Sequence, residues 1–123
     1  MAGFIKELLI AQAVYYSVTG IWPLVSIRTF MMVTGPKHDL WLVKTVGLLI
    51  TVVGITIGVG AFSQKIDLPV VVLALGSALA LGFVDVWYSL RGVISKVYLV
   101  DGVLQALLIA AIAVNAVLWM PGR

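Results

Sequence analysis

Four long apolar runs separated by short polar clusters organise the chain, covering about Phe4 to Val25, Trp41 to Phe62, Leu68 to Leu90 and Val97 to Met120. Each is roughly 20 residues long, the length an α-helix needs to cross a hydrocarbon core of about 30 Å. Together they predict an all-α fold, an integral membrane four-helix bundle that forms one transmembrane domain over residues 1–123. The remainder is too short for a soluble catalytic domain, a nucleotide-binding unit or a nucleic-acid reader.

Polar positions within the runs say how the helices face. The first run is the most polar, with Gln12, Tyr15, Tyr16, Ser17 and Thr19 ahead of Trp22 and Pro23. Such a helix prefers protein neighbours to lipid. Pro23 falls near the end of the span, where a lost hydrogen bond matters least, and Trp22 fits an interfacial aromatic belt. The longest connection follows, from about Ser26 to Leu40, with Gly35-Pro36 as a turn signal and Thr29 to Val33 as an interfacial extension of the first helix.

In the second run Lys44, Gly47, Thr51, Gly54 and Gly58 recur at spacings of three and four, which stacks them on one helical face. Ala74, Ala78, Gly82 and Asp85 do the same in the third. Gly47, Gly54, Gly58, Ala74, Ala78 and Gly82 are therefore the expected close-packing positions, and the parallel between the stripes predicts that these two helices face each other. The fourth run aligns Asp101, Gln105, Leu108, Ile112 and Asn115 on an inward polar face, and Trp119 marks the far interface.

A faint repeat relates the halves. Ser26-Ile27-Arg28, a loop and Trp41 to Val46 are echoed by Ser89-Leu90-Arg91, a loop and Tyr98 to Val103. As a duplication it makes each half a helical hairpin, with the two copies running parallel and with Lys44 and Asp101 at equivalent depths.

Composition agrees with a membrane solvent: 63% of residues are hydrophobic and 11% charged, against about a quarter charged in soluble domains. The eight Lys and Arg residues give a formal charge of +3 but are scattered at helix ends, so they read as interfacial anchors and imply no nucleic-acid partner. Cysteine is absent, which excludes thiolate metal sites. Ala11-Gln12-Ala13 has the small-x-small form of a cleavage site, but the apolar stretch before it is too short for a signal peptide, so the first run is expected to stay as a span. Arg28, Lys37, Lys44, Arg91 and Lys96 accompany the first and third loops, whereas Lys6, Lys65 and Arg123 lie on the other side. The positive-inside rule then places the first and third loops in the cytoplasm, with a bacterial inner membrane as the expected location.

Candidate chemistry gathers at one rim. Asp85 sits roughly 9 Å along the helix from Arg91, beneath headgroup depth, and a carboxylate there needs a partner because burying a lone ion costs several kcal/mol. Asp85 and Asp101 are expected to be neutralised by Lys44 and by Arg28 or Arg91, or else protonated. The candidate ligand or ion-pair cluster is thus Lys44, Asp85, Asp101, Arg28, Arg91, Tyr98 and Gln105, with Tyr88 and Trp87 as further walls. Its bland reading is structural glue between helices. His38 is the only histidine, which excludes a bis-histidine centre, so no metal, cofactor or catalytic residue is assigned. Asp39 is placed to cap the second span.

The stretch from Val33 to Gly47, with Asp85 and Val97 to Asp101 later, resembles small uncharacterised bacterial four-span membrane proteins. The resemblance implies this layout and carries no activity. Small multidrug exporters rely on a carboxylate deep in the first helix, whereas Glu7 lies at the extreme end. Small fluoride channels have a phenylalanine-rich third helix, whereas only Phe83 is present. Asp85 and Asp101 match only loosely the several intramembrane acids of sterol-isomerase-like bundles.

The leading reading is a non-enzymatic structural or accessory bundle that binds membrane lipid, another membrane protein or a second copy through its small-residue stripes. A small oligomeric transporter or channel using Asp101, Gln105 and Asn115 is the alternative, and an intramembrane enzyme on a lipophilic substrate the third.

Overall fold

A computed structural model describes residues 4–119. Met120 and Arg123, which belong to the expected fourth span and to the charge count, lie outside the described residues. The helices are α1 (Ile5–Val25), α2 (Ile27–Thr34), α3 (Leu40–Ala61), α4 (Leu68–Leu90) and α5 (Tyr98–Trp119). All but α2 are long and apolar enough to cross a membrane. The protein is an all-helical bundle: each span begins within a residue of the start of its apolar run, and the first three also end within a residue of it.

The stretch after the first span is a separate helix rather than an extension. Ser26 breaks the chain with φ −147° and ψ 86°, and its hydroxyl accepts from the Thr29 N–H at 3.3 Å, capping α2. The indole N–H of Trp22 donates to Thr29 Oγ1 at 2.9 Å, and its ring meets Phe30 edge-on at 5.4 Å. These contacts fold α2 back toward the end of α1. Thr34 is buried and Phe30 half-buried, while Arg28 and Met32 are exposed. Gly35 then ends α2 at φ 99° and ψ 162°, a region open essentially to glycine.

Expected and observed caps differ. Asp39 stands at the start of α3 but its side chain makes no capping hydrogen bond; only its backbone carbonyl accepts, from Leu42 and Val43. Asp67 caps α4 instead, accepting from the Val70 N–H at 3.4 Å, with Pro69 inside the first turn, where its missing N–H is not needed. The end of α4 closes in a Schellman motif: Val93 N–H donates to Tyr88 O at 2.9 Å and Gly92 N–H to Ser89 O at 3.1 Å, with Gly92 at φ 76°.

Successive spans run antiparallel. The most extensive contacts pair α1 with α3 and α4 with α5, and smaller contacts of α1 with α5 and α3 with α4 close the bundle. The glycine stripe of α3 therefore faces α1 and not α4, contrary to the expectation from the matching stripes. A Cβ on Gly47 would lie 2.6 Å from Gly20 O and 3.0 Å from the Pro23 ring, and one on Gly54 would lie 2.9 Å from Ser17 Oγ. Backbones this close gain dispersion contacts, which drive association where lipid already solvates apolar side chains. The α4 stripe faces inward: Ala74 and Ala78 are fully buried, and Gly82 faces Gln105 of α5. Leu9, Tyr16, Ile57 and Ile112 fill the centre, while Val18, Leu49, Val52, Leu79 and Leu107 point outward, where lipid would surround them.

Candidate functional site

Side chains from three helices meet inside the bundle. Asp85 lies in the last third of α4, about 8 Å along the axis from its end, and Asp101 one turn into α5. Gly102 is buried at the α4–α5 contact, where a Cβ would meet the Asp85 side chain at 3.5 Å; the bare backbone thus lets the two helices close around the acid. Asp85 is only 4% exposed and lies beside Asp101 across the α4–α5 contact. Its Oδ2 is buried without a partner. Two carboxyl groups can share a hydrogen bond only when one of them carries a proton, because an ionised carboxylate is purely an acceptor.

The polar residues of α1 complete the cluster. Gln12, Tyr15 and Tyr16 fall at spacings of three and four, so all three turn toward α4 and α5. The Tyr15 hydroxyl donates to Asp101 Oδ1. One turn deeper, the Tyr16 hydroxyl donates to Gln105 Oε1 at 2.7 Å, and the Gln105 amide points back at both Asp101 oxygens at 3.4 Å. Further in, Gln12 Nε2 donates to the Ala74 carbonyl at 2.9 Å, which also accepts from Ser77 Oγ at 3.2 Å. Gln12 Oε1 is the second buried acceptor without a partner. The result is a polar ladder of Asp85 and Asp101, then Tyr16 and Gln105, then Gln12 and Ser77, descending through the interior. Below Gln105 the fourth-helix face is sealed by Leu108 and Ile112, and Asn115 forms a separate tie, accepting from Phe4 N–H at 2.7 Å.

The expected cluster is thus divided. Asp85, Asp101 and Gln105 come together, and Lys44, Arg28, Arg91 and Tyr98 stay outside. Lys44 lies on the exposed side of α3, and Arg28 is exposed on α2. Arg91 turns outward, with its guanidinium carbon 4.6 Å from the centre of the Trp87 ring. Tyr98 is half-buried beneath Lys37, whose ammonium lies 5.1 Å from its ring centre and 5.8 Å from that of Phe30. Among the described residues no ion pair joins these cations to either acid, so neutralisation by them, one of the two outcomes expected, is not seen. Depth along a helix is set by sequence spacing, but azimuth is set by which neighbour each face packs against. Tyr15 partners Asp101 instead, and Tyr16 and Gln12 continue the polar face of the first span inward, bonded to Gln105 and to the Ala74 carbonyl.

Two grooves mark the outer surface. One, of about 480 Å³, is lined by Gly82, Phe83, Val86, Trp87, Leu90 and Arg91. The other, of about 600 Å³, runs between α1 and α3 over Ala13, Ser17, Gly54 and Gly58. Neither is lined by a carboxyl group.

Fold and site together define a polytopic helical membrane bundle with a buried acidic centre. No known protein family, curated protein or solved structure matches the chain.

Proposed function

We propose that the chain is a small transport protein of the membrane, and that the species bound and released by its interior acid pair is a proton. The observation that carries this reading is Asp85, buried at 4% exposure with one oxygen unpartnered and with Asp101, not a cation, as its charged neighbour. An ion pair would be adequate as glue between helices. Two acids side by side are poor glue, because their contact depends on a proton that either can lose, and intramembrane acids in contact with hydroxyl and amide groups are the usual parts of proton paths. The ladder through Tyr15, Tyr16, Gln105 and Gln12 supplies such groups.

The test is reconstitution into liposomes carrying an internal pH indicator, with proton entry driven by a potassium diffusion potential. The native chain accelerates acidification and Asp85→Asn abolishes the increase while inserting equally well. Native protein with no flux above empty liposomes would remove the reading.

We place the first and third loops in the cytoplasm of a bacterial inner membrane on the excess of cations at that rim. Because cysteine is absent, single cysteines introduced at Ser63 and Ser95 report sidedness with an impermeant maleimide; labelling of position 63 alone in intact cells supports this orientation.

A second reading, the accessory bundle, is favoured by the α1–α3 groove, whose floor of Ala13, Ser17, Gly54 and Gly58 leaves backbone open to a helix of another membrane protein or a second copy. Gly58→Leu fills this groove at its edge, and loss of a stoichiometric partner or oligomer in native mass spectrometry would favour it. Neither groove is lined by Asp85 or Asp101, so neither supports the enzyme reading.

A further inference from the structure

We propose that the outer groove of α4 binds an anionic phospholipid, with an acyl chain lying along Gly82, Phe83, Val86 and Leu90 and the phosphate held by Arg91. This site is distinct from the acid pair and does not depend on the proton reading. The six lining residues occupy successive turns of one face of α4, so the groove runs along the helix axis from the rim into the depth where hydrocarbon chains lie. Its wall is apolar except at the top. Arg91 is the residue just past the last turn of α4, at headgroup depth, while Gly82 lies roughly 14 Å further in.

The guanidinium is held in place. Its carbon is 4.6 Å from the Trp87 ring centre, and Trp87 stacks on Phe83 with ring centres 5.6 Å apart. A cation over an aromatic face keeps its N–H fork free for a second partner, and the fork matches the geometry of a phosphate. The carboxyl groups nearest in sequence, Asp85 and Asp101, point into the bundle and leave that fork unclaimed. Carbonyls at a helix C-terminus disfavour an anion, but here Lys96 donates its ammonium to the Ser89 carbonyl and offsets that end of the dipole.

Charge at the whole rim favours the same ligand. Among the described residues this rim carries Arg28, Lys37, Lys44, Arg91 and Lys96 against the exposed Asp39, because the two acids are withdrawn inside. Among the described residues the opposite rim sets Lys6 and Lys65 against Glu7 and Asp67, with Arg123 lying outside them. A zwitterionic headgroup gains little from such a surface, whereas an anionic one is attracted to it. A purely apolar occupant would leave Arg91 unused.

The test uses the full chain, purified in detergent and titrated with phosphatidylglycerol or phosphatidylcholine, with retained lipid counted by native mass spectrometry. Phosphatidylglycerol is retained at one molecule per chain in preference to phosphatidylcholine. Arg91→Gln lowers that retention about tenfold or more, in line with the loss of a charge-assisted phosphate contact, and Arg28→Gln on the same rim, which removes only long-range attraction, lowers it far less. Arg91 is exposed and outside the helical core, so the variant folds. Equal retention of the two lipids, an equal loss in both variants, or no loss in Arg91→Gln would each overturn the site.

Discussion

Gly20 of α1 and Gly47 of α3 bring their backbones together so closely that a Cβ on either would lie 2.6 Å from the carbonyl oxygen of the other. The contact is reciprocal and has no flexible side chain that could move aside. It sets the distance of closest approach for the first hairpin and, through the 3.0 Å approach of the Pro23 ring to the same position on Gly47, the angle at which α1 ends.

Gly20→Ala is therefore expected to force the hairpin apart, although alanine favours helix more than glycine does. Overpacking of this kind destabilises by about 1–3 kcal/mol. Gly76→Ala is the control, since a Cβ there meets nothing within 4 Å. Unfolding in mixed micelles, followed by circular dichroism against denaturing detergent, should show a lowered midpoint for Gly20→Ala and an unchanged or raised one for Gly76→Ala.

The spans were legible because length and apolarity are local properties: a run such as Leu68 to Leu90 must be helical in lipid whatever surrounds it. The inward faces were legible for the same reason, since Ala74, Ala78 and Asp85 or Gln105 and Ile112 recur at helical spacing. Which faces meet was not legible. Glycine stripes on α3 and α4 look alike, and lipid and protein are equally apolar neighbours, so nothing in the pattern ranks α1 above α4 as the partner of Gly47 and Gly54. The same lack of azimuth put Lys44 beside Asp101, whereas it lies on the exposed side of α3. The break at Ser26 was missed because it depends on a hydroxyl cap and a Trp22–Thr29 bond rather than on the Gly35-Pro36 signal further along.

The buried bond from Tyr16 to Gln105, at 2.7 Å with both residues 1% exposed, couples α1 to α5 at mid-depth. Its worth is measured by a double-mutant cycle of Tyr16→Phe and Gln105→Leu. Interhelical hydrogen bonds within membranes average about 0.6 kcal/mol and reach about 1.7. A coupling energy in the upper part of that range is expected, because Gln105 also braces Asp101 at 3.4 Å. A coupling near zero would mean that the ladder does not hold α1 and α5 together.

Gly35 ends α2 in backbone geometry that a side chain rarely adopts, at φ 99° and ψ 162°. Gly35→Ala is expected to destabilise the first loop by about 1–3 kcal/mol. The loss is local. Hydrogen exchange should speed up at the Gly35 amide, which is bonded to Met31 O at 2.8 Å, while amides within α3 and α5 keep their protection. Loss of protection across the whole bundle would instead mean that α2 is needed for the fold.

Asp85→Asn separates the acid's charge from its shape. Asparagine keeps the volume and puts an amide donor opposite Asp101, so the contact survives without a shared proton. The bundle should therefore fold with a stability within about 1 kcal/mol of native, since one interhelical bond replaces another of similar worth. Asp85→Ala removes the partner, leaves Asp101 with only Tyr15 and Gln105, and should be less stable than Asp85→Asn. Infrared spectroscopy of the native protein should show a protonated carboxyl stretch that disappears in Asp85→Asn. If the native protein lacks that band, the two acids do not share a proton and the proton reading loses its physical basis. If the band is present and Asp85→Asn is folded but inactive in flux, the acid serves transport and is not needed for packing.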